Sequence, residues 1–275
     1  MLVRLTHILA LAWLAGIACA DEEPLRVCAD PMNPPLSTQQ EEGFENQIAK
    51  LFAQALKKPV VYTWYPQRIG FLRNTLQAKD PETDKYKCDV VMGLPAGFEL
   101  AATTKPYYRS TYVLVIAQGK GFDDIDQPEK LFALPAERKA KLKIAMFDRT
   151  PGVTWLLRHG LIDWGHTYQA MTGDPKVNTA LTLEQEFAAD RVNMAVVWGP
   201  LGAYLSLKHP KDYRLLPLKS EPGIRFDYAI AMGVRRDDKV LKAKLDELIE
   251  QNKETITALL KRYQVPLVDK EGNLL

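Results

Sequence analysis

The feature that most constrains this 275-residue chain is an alternation of strand-like and helix-like stretches that runs once, breaks, and starts again. Leu25–Ala29 is a short apolar run followed by the turn-rich Asp30-Pro31-Met32-Asn33-Pro34-Pro35. Apolar side chains then fall at 44, 48, 51, 52, 55 and 56, the spacing of one helix face. Val60–Trp64 is β-branched and aromatic and predicts a strand; residues 69–76 predict a second helix and 88–92 a third strand. Strands separated by helices must cross over to lie parallel, so the pattern predicts a parallel sheet with helices on its faces.

The same order returns with a strand at 143–147, helices at 153–159 and 183–189, a strand at Met194–Trp198 and a helix at 201–207. A strand at 112–117 lies between the two units, and one at 226–233 follows the second. Amphipathic helices at 240–249 and 255–263 close the chain. Two βαβ units joined by two extended crossings predict an α/β, two-lobed, hinged fold. Its first lobe takes residues 21–112 and 228–275, and its second takes 113–227. Ligands of such a fold sit in the cleft between lobes, at strand C-termini and helix N-termini.

The first twenty residues stand apart. Arg4 and His7 precede an apolar run from Ile8 to Ile17, and Ala18-Cys19-Ala20 supplies the small residues that a signal peptidase reads. The run is short for a bilayer span and ends in the charged Asp21-Glu22-Glu23. These features predict a cleaved secretory signal at 1–20 and a periplasmic mature chain. A lipoprotein anchored through Cys19 is the rival, but Gly16 stands where such signals place Leu. With Lys+Arg 36 against Asp+Glu 34, the chain has no field that would recruit nucleic acid or an anionic membrane surface. Cleavage leaves Cys28 and Cys88 in an oxidising compartment, where two cysteines usually pair. Closing that loop of about 60 residues is worth roughly 4 kcal/mol by the chain-entropy argument. Two buried free thiols are the alternative, and neither cysteine has ligand spacing for zinc.

Enzyme signatures are missing: the sequence holds no G-x-S-x-G, H-E-x-x-H, P-loop or strand-following G-x-G-x-x-G. The histidines are scattered, and no nucleophile–base pair can be defended, so no catalytic residue, metal ligand or cofactor is expected. Aromatic and basic residues at strand ends are more informative. Trp64 ends a strand, Arg68 begins the next helix, Tyr107 and Arg109 precede the crossing strand, and Arg149 and Trp198 follow second-lobe strands. In a clamshell all would face the cleft, where Arg can clamp a carboxylate and an aromatic ring can stack on a planar group. Packing in the cores or across the hinge competes with that role for each aromatic.

The order Leu25-Arg26-Val27-Cys28-Ala29-Asp30, Gly43-Phe44-Glu45, Cys88-Asp89-Val90-Val91 and Lys105-Pro106-Tyr107-Tyr108-Arg109-Ser110 resembles the type II periplasmic solute-binding proteins. Thr103-Thr104, Asp227-Tyr228 and Met232-Gly233-Val234-Arg235-Arg236-Asp237-Asp238 narrow the resemblance to the MxaJ/XoxJ family, found with quinoprotein methanol dehydrogenases. Residues 67–76 and 94–99, which include Glu99, lean towards XoxJ, whose partner is the lanthanide-dependent enzyme. The resemblance implies a non-enzymatic accessory role in activating or maturing a PQQ-dependent methanol or alcohol dehydrogenase, with its cytochrome c as a second candidate partner. It does not imply that this chain binds PQQ or a lanthanide. Amino-acid-binding relatives carry an Arg where Leu100 aligns and an Asp near Trp198. Losing both charges removes the charge-assisted bonds that a zwitterion needs. The alternative function is a receptor that delivers a small non-amino-acid ligand from the cleft to an ABC importer.

Overall fold

The computed structural model describes residues 23–171, 174 and 176–275, so the expected signal at 1–20 lies outside the described residues. The first unit comprises β1 (Leu25–Ala29), the two-residue strands β2 (Met32–Asn33) and β3 (Ser37–Thr38), α1 (Phe44–Ala55), β4 (Val60–Trp64), α2 (Phe71–Asn74) and β5 (Val90–Pro95). β4 and β5 flank β1 in parallel, with Leu25 opposite Val60 and Val27 opposite Val90. The apolar stripe of α1 accounts for this: Phe44, Ile48 and Phe52 are fully buried against Leu25, Val27 and Val90.

The helix expected over 69–76 is a single turn. Gly70 precedes it in a left-handed conformation, and Thr75 leaves the helical region while its hydroxyl bonds back to the Phe71 carbonyl at 2.7 Å. Cys28 and Cys88 form the expected disulfide, with Cα atoms 5.5 Å apart, buried beside Phe71, Leu72 and Leu76.

After β6 (Ala102–Thr103) comes β7 (Tyr108–Ala117), the long strand that joins the two units. The second unit holds α3 (Ala136–Lys139), β8 (Ile144–Phe147), α4 (Pro151–Arg158), β9 (Gly165–Tyr168), α5 (Thr179–Ala188), β10 (Met194–Trp198), α6 (Gly199–Lys208) and β11 (Tyr213–Pro217). β12 (Asp227–Val234), α7 (Lys239–Gln251) and α8 (Lys253–Arg262) return to the first unit. Strands β7 and β12 change partners along their length. The start of β7 pairs with β12, Tyr108 opposite Ile230, whereas its end pairs with β10 and β11, Val115 opposite both Ala195 and Leu215. One continuous path therefore runs β4-β1-β5-β12-β7-β10-β8-β9.

Strands β9 and β11 were not expected from the sequence. Gly165-His166-Thr167-Tyr168 has no apolar alternation and is made a strand by its edge pairing with β8. Among the described residues the buried side chains form four cores. One gathers residues of β1, α1, β5 and β12 with α7 and α8, a second packs Phe71, Leu72, Leu76 and Val91 around the disulfide, and the other two lie on opposite faces of β7, β8 and β10. No helix among the described residues is long and apolar enough to cross a membrane.

Candidate functional site

A cavity of about 360 Å³ opens where the two lobes face each other. The loop after β1 builds one wall, and its geometry is set by Asp30. The two carboxylate oxygens of Asp30 accept backbone N–H groups, Met32 at 2.8 Å and Gln67 at 2.6 Å, tying the loop after β1 to the loop after β4. Asn33 reinforces the junction by donating to the Gln67 side-chain oxygen at 2.9 Å. The opposite wall comes from the second lobe: Asn178 and Thr179 at the start of α5, and Trp198 and Leu201 at the start of α6.

Asn178 does two jobs. Its side-chain oxygen accepts the Leu181 N–H at 3.0 Å and caps α5, while its amide donates across the cleft to the Met32 carbonyl at 2.6 Å. The lobes are therefore hydrogen-bonded to each other at the rim of the cavity.

Trp198 stands against the crossing strands, its ring 5.5 Å from Tyr112 and 6.0 Å from Tyr228 in edge-to-face contacts. Tyr112 lines the cavity too. The floor is formed by Leu36 and Gly93, and directly behind it lies Glu45. Glu45 is 7% exposed, and its Oε1 has no hydrogen-bond partner. The Tyr107 hydroxyl accepts the Gly93 N–H at 3.1 Å and lies beside the carboxyl. Burial, with a smaller contribution from the Asp30 charge, pushes the Glu45 carboxyl up to about 8. Burial also raises the Tyr107 phenol well above its ordinary value, and the neighbouring Glu45 adds to this.

Of the residues read from the sequence, Arg68 and Trp198 line this cavity. Arg68 also lies over the Tyr65 ring at 5.6 Å. Trp64 stacks on Tyr62 with ring centroids 4.6 Å apart, along the edge strand β4. Tyr107 is buried behind the floor rather than on it. Arg109 is ion-paired with Asp227 across β7 and β12. Burial opposes ionisation of Asp227, but the Ser220 hydroxyl and Arg109 outweigh it and hold the carboxyl below its usual range. Arg149 follows β8 in a left-handed conformation, with a side chain 81% exposed and its nearest carboxylate, Asp148, 3.9 Å away. Glu99 is exposed, and its carbonyl accepts a hydrogen bond from Arg236. Trp64, Glu99, Tyr107, Arg109 and Arg149 are thus absent from the lining residues, because strand-end position alone does not say which way a side chain turns.

Sequence reading passed over Asp30, Asn33, Glu45, Tyr112 and Asn178 as site residues. Asn178 carried a usable signal, an Asn immediately before an apolar-periodic run. The others carried none, since their roles depend on contacts between loops distant in sequence. Among the described residues no group of three or more His, Cys, Asp or Glu side chains is placed to hold a metal ion.

No family model matches the chain. Over 268 residues it is 30% identical to Protein MoxJ of Methylorubrum extorquens, covering 92% of this chain and 85% of that one. The chain belongs to the MoxJ/XoxJ family. The solved structure of the periplasmic binding protein XoxJ from Methylobacterium extorquens AM1 superposes with a TM-score of 0.69 at 31% identity, covering 90% of this chain and all of XoxJ (100%). MxaJ from Methlophaga aminisulfidivorans MPT shares the fold, with a TM-score of 0.70 at 24% identity over 89% of this chain and 100% of that one.

Within this MoxJ/XoxJ chain, Leu100 is 59% exposed beside Arg235 and Arg236, on a surface other than the cleft. Leu100 therefore lines no part of the inter-lobe cavity.

Proposed function

We propose that this chain is a non-enzymatic periplasmic accessory protein of a PQQ-dependent methanol or alcohol dehydrogenase of the lanthanide type, assisting its activation or maturation. The signal at 1–20 would be removed on export, leaving lobes of residues 21–112 with 228–275, and 113–227. The observation that carries the reading is the near full-length relationship to MoxJ, together with 31% identity to XoxJ.

The cleft supports it in a second way. The Asp30 carboxylate is occupied by backbone N–H groups, and of the arginines expected to clamp a ligand carboxylate Arg109 is ion-paired with Asp227 and Arg149 turns to solvent, which leaves Arg68 on the lining. A receptor for a zwitterion would need both charges free in the cavity. The cavity itself favours the second reading, a receptor for a small non-amino-acid ligand serving an ABC importer, because its volume suits a compact molecule.

The two separate in a pull-down of the tagged mature protein from native periplasm, followed by mass spectrometry. Co-elution of a quinoprotein dehydrogenase, with or without its cytochrome c, supports the accessory role. Elution of the bait with only a small molecule overturns it in favour of the receptor.

A further inference from the structure

The methionines divide sharply by location. Of the seven in the sequence, Met1 lies outside the described residues, and Met92, Met146, Met194 and Met232 sit in the cores at no more than 5% exposure. Met32 is 38% exposed and Met171 is 59% exposed, and both line the inter-lobe cavity. They reach it from opposite lobes. Met32 belongs to β2, in the loop that Asp30 ties down, and Met171 follows β9, where the preceding Ala170 N–H donates to Asp148 at 2.7 Å. Burial is the usual fate of methionine, so the meeting of both solvent-reachable thioethers at one cleft singles that cleft out.

We propose that Met32 and Met171 form a peroxide-sensitive pair, oxidised ahead of the other described methionines, whose conversion to sulfoxides opens the cleft. In each reaction the thioether sulfur attacks one oxygen of hydrogen peroxide and the O–O bond breaks. The sulfide becomes a sulfoxide, and the peroxide is reduced to water. No thiol among the described residues competes, because Cys28 and Cys88 are already joined.

The opening follows from what surrounds the two side chains. Leu36, Val177 and Leu201 share the lining, and they suit a thioether but not a hydrated S=O group. The Asp30 carboxylate, on the same lining, opposes the negative end of that dipole. The hydrogen bond at the rim ends on Met32 itself, where the Asn178 amide donates to the Met32 carbonyl at 2.6 Å. A neutral hydrogen bond is worth little net, so water drawn to both sulfoxides tips the rim towards the open form. Methionine sulfoxide reductases restore the thioethers, which makes the change reversible. This inference goes beyond the partner reading and does not rest on it.

The test is timed treatment of the purified mature protein with hydrogen peroxide, followed by peptide mass mapping and small-angle scattering. Met32 and Met171 should gain an oxygen at least about tenfold faster than Met92, Met146, Met194 or Met232, which react only when local opening exposes them. The radius of gyration should rise as they do so, and fall back after treatment with the reductases for the two sulfoxide epimers. In a Met32→Leu, Met171→Leu double variant, close in volume and checked by circular dichroism, peroxide should leave the radius unchanged. Three results would overturn the proposal: a buried methionine oxidised as fast as the exposed pair, a radius unchanged when both are sulfoxides, or a rise that persists in the double variant. If the double variant does not fold, the wild type decides alone, since a rise that the reductases fail to reverse also overturns it. None of these outcomes bears on whether a dehydrogenase is captured in the pull-down.

Discussion

Replacing Glu45 with Gln should change how stability depends on pH, and the size of the change follows from burial. In the unfolded chain a Glu titrates near 4.5, whereas the folded protein holds Glu45 at about 8. The fold thus favours the protonated form. The stability this contributes is fully present below pH 4.5 and is lost as pH rises through 8, because the unfolded state then gains by ionising where the folded state cannot. A difference of 3.5 between those two values corresponds to about 5 kcal/mol in total. Between pH 5 and pH 8.5 the part that should be seen is about 4 kcal/mol.

Gln keeps the shape but cannot ionise. Urea unfolding of wild type and variant at pH 5, 7 and 8.5 provides the check, since every other titrating group cancels in the difference between the two proteins. The variant should gain on the wild type steadily with pH, approaching 4 kcal/mol at the top of the range. A difference that stays constant within about 1 kcal/mol would mean that Glu45 ionises freely in the folded state. Burial of Glu45 would then have no hold on its ionisation.

Removing the disulfide with Cys28→Ser and Cys88→Ser together should lower stability by about 4 kcal/mol, measured as a loss in the free energy of unfolding under non-reducing conditions. Gly43→Ala should cost about 3 kcal/mol or abolish soluble expression, because its Cβ would lie 2.0 Å from the Leu36 carbonyl oxygen, backbone that cannot swing away. A denaturant midpoint unchanged from wild type would show that the two segments are not in close contact. Asn178 allows its two roles to be separated. Asn178→Ala should lose about 1 kcal/mol through the α5 cap, whereas Asn178→Asp keeps the cap and loses only the donor to Met32. Near wild-type stability in Asn178→Asp, with a larger radius of gyration in small-angle scattering, is the expected outcome; an unchanged radius argues against a rim contact that holds the lobes together.

The layered α/β architecture and the Cys28–Cys88 bond were legible in the residues alone. Apolar spacing in 44–56 can be satisfied only by a helix with one buried face, and the β-branched run at Val60–Trp64 only by a strand, so local chemistry determined those elements. The polar strand β9 and the single-turn α2 were not legible, since one is made by its pairing with β8 and the other is stopped by its flanking backbone. The site divides in the same way. Trp198 and Arg68 could be nominated from strand and helix ends, but the same rule nominated Arg109 and Arg149, which turn to Asp227 and to solvent. Glu45 looks in the sequence like an ordinary acidic residue in the first turn of a helix. Only the tertiary structure places Gly93 and Tyr107 around it and removes its water, and desolvation is a property of everything packed about a group rather than of the group itself.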